Sequence, residues 1–374
     1  MYSREDIVSW LVARKSQVSL AAGPMQQTCL HLASARHSGQ SLQIVKVLLS
    51  HSSEDLRMKQ DSCGSIPLFC AIESGNNNIC KELLVTKAEE QVLHEKQPLG
   101  DTAMHLAARR RDSNLLKTLI EAGAQVDRQN SEGQTVMHLT CIQGDENSLR
   151  VLFMAKANCN LGDTEDRTPI HLAAERGFTR LVDFLIEKFK ASIYDRTKDG
   201  STLMHIAAIN GHPDTAVLLF NKGVPLLMPN KYGARGIHIA AKEGHVNVIK
   251  TLLAKGEQID AKTSDNKTAL HIAVEHGKSS AVEILLGNGA DVQIKGGETE
   301  ETALHIAARI DEARGDKCSK ILLKSGADPN LPMGNGCTPV HIAAQSGNLL
   351  VLRGLLQHGG DAQKEDKEGE VSID

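Results

Sequence analysis

The chain has 374 residues, of which 42 are Lys or Arg and 46 are Asp or Glu, for a net charge of −4. That near balance does not call for nucleic acid and leaves room only for local basic patches. Eight cysteines are scattered with no Cys-x-x-Cys pair, which reads as reduced thiols rather than a disulfide framework. No signal peptide and no run of about 18 apolar residues occur, so this stretch carries no membrane span.

In chain order, residues 5–12 read as a second helix without its first. A histidine then returns at equivalent places in nine of ten copies of one unit: His31, His105, His138, His171, His205, His238, His271, His305 and His341. The steps from His105 to His305 are 33, 33, 34, 33, 33 and 34 residues. A fixed period of this size means one supersecondary unit stacked many times. The repeat overrides the prior that length alone would give, two or three globular cores. Aromatic residues are 3% of the chain, which suits thin helices packed through small side chains.

One unit illustrates the reading. Asp199-Gly200 is a turn signal. Thr202 suits an N-cap, its hydroxyl accepting from a free first-turn amide. A short helix follows through His205-Ile-Ala-Ala208 and breaks at Asn210-Gly211-His212. A second helix runs over 215–220, and Gly223 ends it. A hairpin-like loop leads to Asn230-Lys-Tyr-Gly233, the next turn.

Turn, helix, helix, loop, with Thr-Pro-Leu-His-x-Ala-Ala, a Gly and a Leu-Leu helix, resembles the ankyrin repeat. The nearest copies are Thr168-Pro-Ile-His171-Leu-Ala-Ala174 and Thr338-Pro-Val-His341-Ile-Ala-Ala344. Thr202 with His205, Thr268 with His271 and Thr302 with His305 repeat the pair. The resemblance implies an all-α ankyrin-repeat solenoid of about ten helix-turn-helix repeats, and that each Thr and His are hydrogen-bonded partners. It assigns 1–23 to a partial repeat, 24–365 to the array and 366–374 to the start of a further repeat. Asp374 falls 33 residues after His341. Neither end carries a clear polar cap, so the chain reads as a piece of a longer array.

Departures from the pattern are informative. Ile66 and Phe69 replace both Thr and His in one unit, as a half-satisfied buried polar pair would be worse than an apolar one. Arg235 replaces Thr ahead of His238, which should weaken that unit. Arg111 stands where other units carry the inter-helix Gly. The steps His31 to Phe69 and His305 to His341, 38 and 36 residues, hold insertions, the second expected to bulge as a loop over 311–316.

The nine repeated histidines read as packing staples, spaced about one helix diameter apart, roughly 10 Å, too far for one metal to bridge. Cys141 near His138 and Cys29 near His31 read as small buried residues. No His-Glu-x-x-His, no phosphate loop and no paired-carboxylate frame occurs. The expectation is no catalysis, no metal and no cofactor.

The densest basic run, Arg109-Arg110-Arg111, reads as a solvated helix end. The sharper alternative is a contact for an acidic protein surface, such as a tubulin tail. In ankyrin proteins loop tips and first helices form the concave binding face. Here that face would include Glu132, Arg167, Arg176, Lys198, Asp199, Lys231, Tyr232, Lys242, Glu243, Asp265 and Asn266, and its charge is mixed.

Three stretches outside the repeat pattern narrow the resemblance: 140–156, 188–197 and 224–233. They are similar to the N-terminal ankyrin array of the TRPN channels, the "no mechanoreceptor potential C" type. That similarity implies a fragment of the cytosolic array of a mechanically gated cation channel, a tetramer in the full-length protein. It implies an elastic tether from pore to microtubules, at the cytoplasmic face of the plasma membrane of a sensory cilium or dendrite. The alternative is a generic ankyrin adaptor that holds a protein partner on its concave face.

Overall fold

The structure is a computed structural model that describes residues 4–13, 18–36, 38–50, 55–84 and 100–371. Among these, every regular element is helical, and paired extended backbone is confined to isolated bridges such as Gly296 with Glu301. The all-α expectation holds. The chain separates into two compact units, one of 1–172 with 187–191 and one of 173–186 with 192–374.

The first unit opens on helix Arg4–Ala13, where the sequence placed an unpartnered second helix. Four helix pairs follow: Cys29–Ser34 with Ser41–Ser50, Pro67–Ser74 with Asn77–Leu83, Ala103–Arg109 with Ser113–Glu121, and Val136–Gln143 with Glu146–Met154. A one-turn helix, Asp55–Met58, sits in the 38-residue step, with Leu56 buried. The second unit holds five complete pairs. They are Leu203–Ile209 with Pro213–Asn221, Gly236–Glu243 with Val246–Ala254, Ala269–Glu275 with Ser279–Gly287, Ala303–Arg309 with Glu312–Lys324, and Pro339–Gln345 with Leu349–Gln357. Helices Pro169–Glu175 and Thr179–Phe184, with the π-turn Leu185–Phe189, give residues to both units. The expected start of a further repeat reaches Asp374, which lies outside the described residues.

The two helices of a pair are built differently. In Leu203–Ile209 six consecutive residues, Leu203 to Ala208, are buried. A helix that is buried all round must be covered on every side, and the alanines let the neighbouring repeats come close. The second helix is amphipathic. Ser279–Gly287 buries Ala281, Val282 and Leu285, a single stripe at helical spacing. Gly211, at φ 74°, turns the chain between the helices; a Cβ there would strike the ring of His245. Arg111 takes the same left-handed turn at φ 57°, as its place in the pattern implied.

The repeats that carry the histidine are tied at it. In all eight Thr-containing copies the Thr backbone N–H donates to His Nδ1 at 3.0–3.3 Å. The Thr hydroxyl lies 2.7–2.9 Å from the same nitrogen. A backbone N–H can only donate, so Nδ1 is an acceptor and the ring proton sits on Nε2. Nε2–H then donates to a carbonyl in the next turn: His31 to Ser65, His105 to Gln134, His138 to Arg167, His205 to Ala234, His271 to Glu301, His305 to Cys337 and His341 to Glu370, at 2.8–3.3 Å. One ring thus closes a helix start and joins two repeats.

Thr202 holds the N-cap as expected, in a capping box with His205: its side chain faces the free first-turn amide, its own N–H donates to His205 Nδ1 at 3.1 Å, and its hydroxyl lies 2.8 Å from that nitrogen. One reading is corrected. Residues 312–316 do not bulge as a loop. They extend the second helix to 13 residues, Glu312–Lys324. Asp311 caps it by accepting from Arg314 N–H at 3.2 Å, and Gly315 is buried against the carbonyl of Ala307, where no side chain would fit. At 66–69 both replacement side chains, Ile66 and Phe69, are fully buried.

Leu285 is fully buried and Lys198 is exposed at a turn tip. Leu285→Ala should cost about 2–5 kcal/mol, and Lys198→Ala less than about 0.5 kcal/mol; comparing urea midpoints tests this assignment of inside and outside. The rings set a pH dependence. Burial holds the imidazoles of His138, His205 and His271 below the ordinary value of 6.5, and those of His238 and His305 down at about 4. The unfolded chain binds more protons than the folded one between these values, so stability is full above about pH 6.5 and falls toward pH 4. His238 and His305 alone account for about 3 kcal/mol each. Urea titration followed by circular dichroism should give a falling midpoint from pH 7.5 to 5, as a rough working range; a flat midpoint would contradict neutral rings.

Candidate partner-binding surface

The three arginines of the basic run take three different places. Arg109 Nε pairs with the buried carboxylate of Asp101 at 2.8 Å, and Asp101 also accepts from Asn130 at 2.8 Å. Arg110 donates to the carbonyl of Glu73 and lies over Gly75. Arg111 is exposed at the left-handed turn. Arg109 and Arg110 therefore serve the repeat stack, and Arg111 faces solvent. These three lie in the first unit.

The other candidates lie in the second unit, except Glu132 and Arg167, which lie in the first. Arg176 is exposed just past helix Pro169–Glu175, and Lys242 is exposed near the end of Gly236–Glu243. Lys198, Lys231 and Tyr232 are exposed at the tips of adjacent turns, which are joined by a hydrogen bond from Lys231 N–H to the Asp199 carbonyl at 3.1 Å. Burial raises the Asp199 carboxyl, but the hydroxyls of Thr197 and Ser201 and the Ser201 amide bind its ionised form and hold it below the usual range. Asp195 is likewise tied to the Ser192 hydroxyl at 2.8 Å. Of the remaining sequence candidates, Arg167 is bound to Asp163 at 2.8 Å, while Glu132, Glu243, Asp265 and Asn266 are exposed.

The structure adds three residues to this surface. Tyr194 is 69% exposed, Leu227 44% and Met228 41%, on the loops that precede Lys198 and Lys231. Most other loops carry a polar side chain at the place of Tyr194 and Leu227, and it bonds the next loop. Asp127 accepts from Asn158 N–H at 2.9 Å, Asp260 from Asp291 N–H at 3.2 Å and Asn330 from Asp361 N–H at 2.7 Å. The residue that would face Tyr194 is Pro225, which has no N–H. The amide that would face Leu227 is that of Gln258, which donates to Glu257 instead. Neither position needs an acceptor, so apolar side chains stand there in the open. The signal was present in the sequence, since Pro225 and Glu257 mark the exceptions.

The chemistry of the remaining groups is quiet. Burial pushes the thiols of Cys70 and Cys80 up to about 12 and that of Cys318 up to about 11, and raises that of Cys141. Such thiols are poor nucleophiles and poor ligands. Among the described residues, no three His, Cys, Asp or Glu side chains are grouped to hold a metal ion, and no helix is long and apolar enough to cross a membrane. A shallow groove of about 460 Å³ lies between helices Ser113–Glu121 and Glu146–Met154, lined by Lys117, Ile120, Arg150, Val151 and Met154. It lies on the second helices, away from the turn tips.

Comparison with known proteins agrees with this picture. A family model described as ankyrin repeats matches residues 1–94, 84–163, 138–230, 224–296 and 294–366. Among curated proteins, the inactive serine/threonine-protein kinase TEX14 of Bos taurus is 45% identical over 69 residues, and that of Mus musculus 41% identical over 69 residues. Each match spans 18% of this chain, and 4% and 5% of the relatives' own lengths. With tandem matches along nearly its whole length and the Thr–His tie in eight repeats, this chain belongs to the ankyrin-repeat family.

Proposed function

We propose that the chain is a non-catalytic scaffold that bears load along its repeats. In this reading it is a segment of the cytosolic N-terminal array of a TRPN-type mechanically gated cation channel, and it acts as an elastic tether between pore and microtubules. The observation that supports it is the tie from the ring to the next turn in seven repeats, together with the similarity of 140–156, 188–197 and 224–233 to that array. Bonds repeated at many joints distribute strain over similar interfaces, because each repeat touches only its neighbours. The reading places the chain at the cytoplasmic face of the plasma membrane, in a sensory cilium or dendrite, with tubulin and the other subunits of a tetramer as partners.

A second reading has its own support. Tyr194, Leu227, Met228 and Tyr232 are exposed beside Lys198 and Lys231, which suits an adaptor that holds a protein partner on its turn tips. The two readings separate in one experiment. In the full-length channel, current is recorded during calibrated membrane displacement, with and without the ankyrin array. The tether predicts loss of displacement-evoked current with the pore still able to open. Unchanged currents after removal of the array would reject it and leave the adaptor.

A further inference from the structure

Besides the loop-to-loop bonds, neighbouring repeats share two kinds of side-chain bond at their first helices. One is the ring bond from a histidine to the next turn. The other runs backward, from a side chain between the two helices of a repeat to a carbonyl at the end of the previous first helix. Asn76 makes it to Ser34 at 2.9 Å, Gln143 to Arg109 at 3.1 Å, His212 to Glu175 at 3.0 Å, His245 to Ile209 at 3.0 Å and Asn348 to Ile310 at 3.2 Å.

Within the second unit, the joint between the repeat opened by Arg235 and the one opened by Thr268 has neither. His238 Nε2 donates to Ala261 at 2.8 Å, in the loop of its own repeat, and the carbonyl of Lys267 accepts from the Thr263 amide. Lys278 occupies the place of His212 and His245. Its stem runs over Gly244 as their rings run over Gly177 and Gly211, but its ammonium makes no hydrogen bond among the described residues. Across this joint the main chain still gives Ser264 N–H to Tyr232 at 3.1 Å, and the loops are joined by Asp260, which accepts from Asp291 N–H at 3.2 Å, and by Lys262 Nζ, which donates to the Lys295 carbonyl at 3.3 Å. The flanking joints keep at least one bond of the two kinds: His205 to Ala234 and His245 to Ile209 on one side, His271 to Glu301 on the other.

The repeat on the near side is also the one built on an ion pair. Arg235 stands in the place of Thr and Glu257 in the place of the small apolar residue found at Ala124, Ala157, Ala290 and Ala327. The pair closes at 3.3 Å, with the Glu257 side chain fully buried and its second oxygen without a hydrogen-bond partner. A buried ion pair seldom repays its desolvation.

We propose that the joint between the Arg235 repeat and the Thr268 repeat is where the second unit parts first, dividing it into two blocks that fold and yield separately. In a stack whose stability is a sum of repeat and nearest-neighbour contributions, a joint whose first helices share neither bond, with only its turns and loops still tied, is where cooperativity breaks. This concerns the isolated chain and stands or falls independently of the channel reading.

Amide hydrogen exchange of the whole chain, followed through stepwise urea, tests it. Helices Leu203–Ile209 and Pro213–Asn221 should lose protection in a different step from Ala269–Glu275 and Ser279–Gly287. Lys278→His, which rebuilds the missing backward bond, should slow exchange in Ala269–Glu275 about fivefold, whereas Lys278→Ala should leave it unchanged. Loss of protection on both sides in one step, a break at another joint, or a Lys278→His variant that exchanges like the parent would overturn the proposal.

Discussion

A neutral imidazole with its proton on Nε2 is the constraint from which the rest of the architecture follows. First helices of six to eight residues leave most of their end groups without an intrahelical partner. They are also buried on all sides, so water cannot satisfy those groups. The ring takes one of them, the amide of the residue at the helix start, and hands its own proton to a carbonyl outside the repeat. Thr suits that start because its hydroxyl meets the same nitrogen while its backbone stays extended. Protonating the ring would set two donors face to face at Nδ1, which is why burial and hydrogen bonding together demand the uncharged form.

The thinness of the core follows from the same geometry. Because each first helix is covered on both sides by like helices, alanines fill positions that a globular core would give to larger side chains. Large buried side chains are shared between the first helices, as at Leu30, Phe69 and Met104, and the second helices, where Leu119, Leu152, Leu219, Leu252 and Leu285 repeat one buried place. Such packing needs no deep internal cavity, and binding chemistry is left to the turn tips and loops. The exposed aromatic and aliphatic side chains at 194, 227, 228 and 232 are therefore more informative about partners than any buried cluster.

Period and residue type made much of this legible in the sequence. The histidine spacing placed the helix pairs that carry it, the Ile66-Pro-Leu-Phe69 variant placed one more, and the glycine and Arg111 positions placed the turns. What the sequence concealed depended on direction or on a neighbour in space. Thr202 is legible as an N-cap, but that its own N–H is taken up by the His205 ring depends on where that ring lies. The insertion before His341 is rich in charge and contains Gly315, features of a loop, yet Asp311 caps a longer helix and the glycine is needed for contact with Ala307. Tyr194 and Leu227 looked like ordinary loop residues because their significance lies in what Pro225 and Gln258 do not offer across the gap.

The pair of Arg235 and Glu257 shows how a departure in one place requires another. An arginine in the Thr position, beside a histidine whose Nδ1 already accepts a backbone amide at 2.9 Å, brings a charge to the edge of a buried helix start. Thr there would need nothing further. Arg235 needs a counter-charge within reach, and the loop supplies one by exchanging a small apolar residue for Glu257. Either change alone would leave a charge poorly compensated, Glu257 the more severely because it is buried. Burial accordingly raises the Glu257 carboxyl, against the pull of the Gln258 amide and of Arg235. The two substitutions are thus a single unit of sequence change, and the repeat that carries them keeps its fold while giving up the ring's bond to the next turn. A stack can tolerate this because its neighbours do not depend on that ring for their own helix starts: Thr268 and His271 close theirs as the other Thr–His repeats do. What is lost is coupling between repeats, with the local structure on either side intact.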